Sequence, residues 1–393
     1  MLNRDFFGVF LFFFPLILKW ILPSGIEQAL YVQLFGFIPL FPANLTLLVA
    51  PFFLVHVKGY GLLKTLLLID LVWILCLAIM HNIPFEILIS GSFYIYAFFY
   101  LCFFKFSEKQ VQYIDKLLFF PLTYIFVQII LYSLGLSNND MFAGNMSFAG
   151  VLRISTSAGP ATASACIVAV SGMLIVTITK NKWIKFSTLL MMLISGSFLM
   201  SRMPFLCILL FILFVLFYGK IGKKNMIICS LLLVVSVYFG ILNPVLERAL
   251  SKTSKDFDSN RAALINKTMQ DYEMDGKVGL GVGNVYVSTE INYFINDIEK
   301  PMFWGAPHNS YVLLLCEQGF LGLFVLSLFF VLLFKEMFLT SKKLFFVLLL
   351  IFSTLFNSET VVITNSEHVF LIASVVMIAP LRTTRRNILC QKC

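Results

Sequence analysis

The chain has 393 residues, of which 60% are hydrophobic and only 12% charged, and its mean hydropathy is +0.92. Soluble domains carry about 25% charged residues, so a soluble enzyme is excluded. The net charge of +9 falls in alternate connections between apolar runs, which excludes a nucleic-acid partner. Transmembrane barrels are excluded too, because their strands alternate apolar and polar residues, whereas Phe205 to Phe217 and Leu344 to Phe352 are continuously apolar.

Taken in chain order, apolar runs between polar breaks predict membrane-spanning helices near 7–22, 43–57, 62–80, 86–104, 117–135, 157–179, 184–199, 203–218, 226–243, 309–334, 344–358 and 368–381. The expected fold is therefore all-α: residues 1–393 form a single polytopic transmembrane domain of about twelve helices. The opening Met1-Leu2-Asn3-Arg4-Asp5 before a Phe-rich run resembles a signal peptide but reads as an uncleaved first helix. The stretch Tyr31 to Phe41, before Pro42, reads as an interfacial or re-entrant piece, and the crossing of 24–42 stays open.

Lysine and arginine collect in 58–64, 105–116, 180–185, 219–225 and 335–343 and in the tail at Arg382, Arg385, Arg386 and Lys392, while 81–85 and 359–367 have none. The positive-inside rule makes the first set cytoplasmic and places 136–156, 200–203 and the large segment 244–308 outside. Of the 8 cysteines, Cys76, Cys102, Cys166, Cys207, Cys229 and Cys316 lie singly in apolar runs, and Cys390 with Cys393 is half a metal site without a second half. Neither a disulfide framework nor a structural metal is expected.

The 244–308 segment carries Asp271, Glu273, Asp275, Asp297 and Glu299 and is long for a connection; loops of that length usually have a function. Ala262, Ile265 and Met269 stand at helical spacing within Asn260 to Met269, predicting a short surface helix that ends before Asp275-Gly276. Gly279-Leu280-Gly281-Val282-Gly283 has the glycines of a dinucleotide loop but lacks the strand and helix of that fingerprint, so it reads as a flexible turn. Asp256-Phe257-Asp258 has the spacing of metal-dependent sugar transferases, but no supporting domain surrounds it.

Arginine is scarce on the outer side, which singles out Arg153, Arg202 and Arg261. Arg202 lies in Met200-Ser201-Arg202-Met203-Pro204, a connection so short that its guanidinium must sit at the membrane boundary. Such a group either serves a site or snorkels to lipid phosphate. Arg248, between Glu247 and Lys252, reads as solvated. His308 follows Pro307 where the loop re-enters the membrane, and there it is either a proton carrier or a helix cap. His56 and His368 read as structural. Glu317 follows His308 by nine residues, half a turn out of phase on a straight helix, so the two do not face one another.

Three pieces in this order resemble the O-antigen ligase and polymerase superfamily of bacterial membrane enzymes. They are Ser201-Arg202 leading into a span; Arg261-Ala262-Ala263-Leu264-Ile265 followed by Val278-Gly279 through Gly283-Asn284; and His308-Asn309-Ser310-Tyr311 followed by Glu317-Gln318-Gly319-Phe320-Leu321-Gly322. Arg153, before Gly159-Pro160, is similar to an arginine preceding an earlier span in that group. The motifs cover about residues 150–335, and the hydropathy pattern extends the likeness over the whole chain.

The resemblance implies an enzyme of the bacterial inner membrane acting at the periplasmic face. Its donor would be an oligosaccharide on undecaprenyl pyrophosphate, its acceptor a glycan hydroxyl, and the transfer would invert the anomeric centre without cofactor, nucleotide or metal. It assigns His308, Arg202 and Arg261 as catalytic and Arg153, Asn309, Tyr311 and Glu317 as substrate-binding. Negative charge builds on the departing pyrophosphate, and guanidinium groups suit bidentate contact with its oxygens. A polymerase joining repeat units is the expected activity, working in the lipid bilayer beside chain-length regulator and flippase proteins. The alternatives are a ligase that moves the chain to lipid A core or another acceptor, and a lipid-linked oligosaccharide transporter, which would hold its ionisable residues at mid-membrane. Asp70 is the main deep charge in this chain.

Overall fold

The computed structural model describes residues 3–21, 32–34, 38–40, 42–85, 87–88, 93–136, 146–148, 151–154, 156–157, 161–218, 253–286, 290–295, 298–303, 309–356 and 366–379. The chain is mostly helical. The first half runs α1 (Arg4–Ile21), β1 (Val32–Leu34), β2 (Ile38–Leu40), α2 (Pro42–Val49), β3 (Val55–His56), α3 (Gly61–Met80), α4 (Phe93–Phe103), β4 (Phe104–Lys105) and α5 (Glu108–Ser133). It continues through β5 (Met146–Phe148), β6 (Val151–Arg153), α6 (Ala161–Ile178), α7 (Lys182–Phe198) and α8 (Arg202–Tyr218). After these come α9 (Thr253–Met274), β7 (Glu290–Ile295), β8 (Ile298–Phe303), α10 (Ser310–Thr340), α11 (Lys342–Leu350) and α12 (Ser366–Ile378).

Among the described residues four helices, α3, α5, α6 and α10, are long and apolar enough to cross a membrane. Shorter apolar helices occupy Tyr94–Phe103, Arg202–Leu216 and His368–Ile378. The span expected at 226–243 lies outside the described residues.

One stretch departs from the sequence expectation. Residues 43–57 do not make one continuous helix: α2 passes into a 3-10 turn, Ala50–Phe53, and then into β3, which pairs with β4. Pro51 has no N–H to continue a helix, and α2 with its turn rises only about 20 Å, short of the roughly 30 Å hydrocarbon core. The Tyr31 to Phe41 stretch contributes β1 and β2, an antiparallel pair with Val32 opposite Leu40. Among the described residues, four two-stranded antiparallel pairs decorate the helices.

The packing centre is α6. Its apolar window is 83% buried, against 33–39% for the other three long helices, because α5, α7, α8 and α12 all pack on it. Ala161, Ala163, Ala165 and Ala169 keep its girth small, and a Cβ on Gly172 would collide with the Met192 side chain of α7. Small residues at such positions let helices approach closely in a membrane. On the flank, Phe12 of α1 meets Tyr100, Phe106 and Phe370 edge-on at 5.2–5.8 Å between ring centres, the preferred aromatic geometry. Polar caps fix where the helices start: Ser107 and Gln110 form a reciprocal capping box at α5, Asn181 caps α7, and Ser341 caps α11.

Contacts sort the connections into two ends. At one end Lys64 Nζ donates to Val57 O at 2.8 Å, Val57 N–H donates to Phe103 O, and Phe106 N–H donates to Met377 O. At the other end the residues after α3 meet the segment after α9: His81 Nε2 lies 3.5 Å from Asp275 Oδ2. The first end holds the lysine-rich connections 58–64 and 105–116, and the second holds 81–85 and the large loop.

Candidate functional site

The site begins with a break in α10. Gly319 adopts φ 69° and ψ −174° inside an otherwise helical run, a conformation that glycine enters without steric cost. The residues after it, 320–340, rise about 31 Å, enough to cross the core unaided. The sequence expectation of one straight helix from His308 through Glu317 into the span is therefore replaced by a short entry helix, a break and a long helix.

A break in apolar surroundings frees backbone groups that must find partners. The Cys316 carbonyl accepts from Leu280 N–H at 2.8 Å, and the Glu317 carbonyl from Gly281 N–H at 2.8 Å. The Gln318 carbonyl accepts from the Trp73 indole N–H of α3 at 2.7 Å. On the other side the Tyr272 hydroxyl donates to Lys277 O at 2.9 Å.

The glycine-rich segment supplies most of these partners, and it is a fixed element rather than a flexible turn. Gly279, Gly281 and Gly283 have φ of 124°, 86° and 81°. A Cβ on Gly279 would lie 2.7 Å from the Gln318 carbonyl carbon and 2.7 Å from Gly319 N, and one on Gly283 would lie 2.8 Å from Ile87 Cγ2. The segment is thus clamped between the α10 break and residues 81–88. Its last glycine is tied by a side chain: the buried Glu317 accepts from Gly283 N–H through Oε1 at 2.8 Å.

The loop helix joins the same unit. The sequence predicts a short helix over Asn260 to Met269; α9 begins earlier and ends, as expected, before Asp275-Gly276, with Gly276 at φ 73°. Leu264, Thr268 and Tyr272 are its buried face. Cys316 Sγ of the entry helix packs 3.7 Å from Thr268 O and 3.8 Å from Met269 Sδ. Arg261 lies in α9 one turn before Leu264.

The other residues assigned from sequence take different places. Asn309 caps the entry helix, its Oδ1 accepting from Tyr311 N–H at 2.9 Å and from Val312 N–H at 3.1 Å. Tyr311 donates its hydroxyl to Phe352 O at 2.9 Å, in a π-helical turn, Ile351–Leu355, on which α8 also packs. Arg202 is the first residue of α8, half-buried after the buried Ser201. Arg153 ends β6, opposite Met146. Beyond it Thr156 pairs with Ser164 at 2.8 Å, and Ser157 binds Gln128 Oε1 of α5. His308 lies outside the described residues.

Glu317, the glycine segment and α9 therefore share one packed unit, and Tyr311 is linked through 351–355 to the helix that Arg202 begins. Sequence reasoning missed Trp73 and His81. The only signals for them are an indole one turn from Asp70 in an otherwise aliphatic run, and a histidine at the end of that run. The chain matches no protein-family model, and no curated protein shows significant similarity to it.

Proposed function

We propose that the protein is a glycan polymerase of the O-antigen polymerase and ligase type. It transfers an undecaprenyl-pyrophosphate-linked glycan onto the next lipid-linked repeat unit at the outer face of the bacterial inner membrane. The observation that supports this reading is the joining of two motif pieces distant in sequence. The Arg261 helix with its glycine turn, and the Asn309 to Gly322 block, form one unit held by the Glu317 to Gly283 bond.

In this reading each residue has a task that its chemistry suits. Arg202 and Arg261, with Arg153, hold the pyrophosphate oxygens and stabilise the charge that grows on them as the glycosidic bond breaks. His308 takes the proton of the attacking hydroxyl, and Asn309 and Tyr311 fix the entry helix that follows it. Glu317 acts as a positioning residue through the glycine turn. The acceptor oxygen attacks the anomeric carbon from the face opposite the leaving pyrophosphate, so the product is inverted. No step draws on a nucleotide or metal.

Deleting the gene in its host and resolving extracted lipopolysaccharide on a gel tests the reading. A polymerase deletion leaves core carrying a single repeat unit, restored to a ladder by the wild-type gene. Bare core, with polymer retained on undecaprenyl pyrophosphate, identifies the ligase instead. An unchanged profile overturns both for this glycan.

A further inference from the structure

Beneath the glycine turn, three helices bring polar side chains together within the membrane-spanning part of the bundle. Asp70, midway along α3, is 0% exposed, and neither of its carboxyl oxygens has a hydrogen-bond partner among the described residues. Tyr94 of α4 and Gln318 of α10 are buried as well. Gln318 donates through Nε2 to the Tyr94 hydroxyl, while its Oε1 is buried without a partner. The Tyr94 hydroxyl lies within electrostatic reach of both Asp70 and Glu317.

The hydrogen-bonding inventory of this cluster is unbalanced. Among the described residues Asp70 Oδ1, Asp70 Oδ2 and Gln318 Oε1 are three unpartnered acceptors, against two donors remaining on these side chains, the Tyr94 O–H and the second N–H of Gln318 Nε2. Glu317 is already served by Gly283 N–H. An ionised carboxylate without a partner is strongly disfavoured in an apolar interior. One added proton corrects both faults, because it removes the charge and turns an acceptor into a donor.

We propose that Asp70 is an intramembrane proton-binding site, holding one proton as a neutral carboxylic acid whose O–H donates into the surplus of acceptors around it. The site is separate from the transfer chemistry proposed above and does not depend on it. Its occupancy is linked to the turn. Trp73, one helical turn from Asp70, holds the Gln318 carbonyl at the α10 break. Loss of the proton leaves a bare charge between α3, α4 and α10, which loosens the α3 contact with α10 and frees the Trp73 to Gln318 bond. Of the titratable groups on the packed helices, Tyr94 on α4 is within electrostatic reach of Asp70, and Glu317 on α10 is within reach of Tyr94. On α3 itself Lys64 and His81 lie toward opposite ends.

Infrared spectroscopy of the purified full-length protein in phosphatidylcholine nanodiscs tests this without any transfer assay. The wild type is expected to show the carbonyl stretch of a protonated carboxylic acid, shifted in heavy water and lost as pH is raised. Asp70→Asn and Asp70→Leu should lack that band, and Glu317→Gln should keep it; two Asp70 variants are used so that a folding defect in one leaves the other to report. A wild type with no such band, or survival of the band in the Asp70 variants, overturns the assignment. Loss of the wild-type band on adding sodium chloride at constant pH overturns it as well, by identifying a cation site.

Discussion

Glu317 and Gly283, 34 positions apart, are joined by a 2.8 Å hydrogen bond in which the buried side chain accepts the glycine N–H. The bond ties the loop to the helix that follows it at the point where that helix breaks. Glu317→Ala leaves the Gly283 N–H buried without an acceptor, at about 1–3 kcal/mol, whereas Glu317→Gln keeps a carbonyl oxygen in place. Hydrogen exchange of the 278–283 amides should therefore accelerate strongly in the alanine variant and little in the glutamine variant. Equal exchange in the two variants would show that the side chain does not hold the turn.

Gly279 has a positive φ of 124° and no room for a side chain, with the Gln318 carbonyl carbon and Gly319 N 2.7 Å from where a Cβ would stand. Gly279→Ala should cost about 2 kcal/mol or more, combining backbone strain with overpacking. Thermal unfolding in detergent should show a lowered midpoint, with a smaller change for Gly276→Ala, where a Cβ meets nothing within 4 Å. Equal shifts would contradict a close backbone crossing.

Trp73 donates its indole N–H to the Gln318 carbonyl at 2.7 Å, a contact between α3 and the broken helix. Trp73→Phe preserves the apolar bulk and removes the donor, leaving a carbonyl unpaired at about 1–3 kcal/mol. Limited proteolysis within 275–286 should become faster in this variant, and an unchanged rate would separate α3 from the turn.

Much of this architecture was legible from composition. The long helices follow from continuous apolar runs, and α9 ends where Asp275-Gly276 predicts. The break at Gly319 was not legible, because Cys316 to Gly322 reads as uninterrupted helix and a single glycine in such a run is tolerated. Its cause lies 34 to 40 residues upstream in the glycine segment, and 245 residues upstream at Trp73. Hydrophobic periodicity carries no information about such pairings. The strand pairs β1 with β2 and β3 with β4 escaped for another reason: segments of two or three residues are too short to show alternation. Residues 43–57 read as a span because Ala50-Pro51-Phe52-Phe53 is apolar, although Pro51 ends the hydrogen-bond ladder there.

Arg202 stands at the first position of α8, half-buried. Arg202→Lys keeps the charge and loses the bidentate fork, so a phosphate-holding role predicts transfer reduced about 100-fold, with the unfolding midpoint unchanged. Full transfer with lysine would leave Arg202 as a boundary anchor alone.

The most direct measurement uses purified protein in nanodiscs with an undecaprenyl-pyrophosphate-linked repeat unit from its host, in the presence of a metal chelator. The account predicts that the wild type elongates the lipid-linked glycan, while His308→Ala, folded to the same unfolding midpoint, does not. Absence of product from the wild type, or undiminished elongation by His308→Ala, would contradict it.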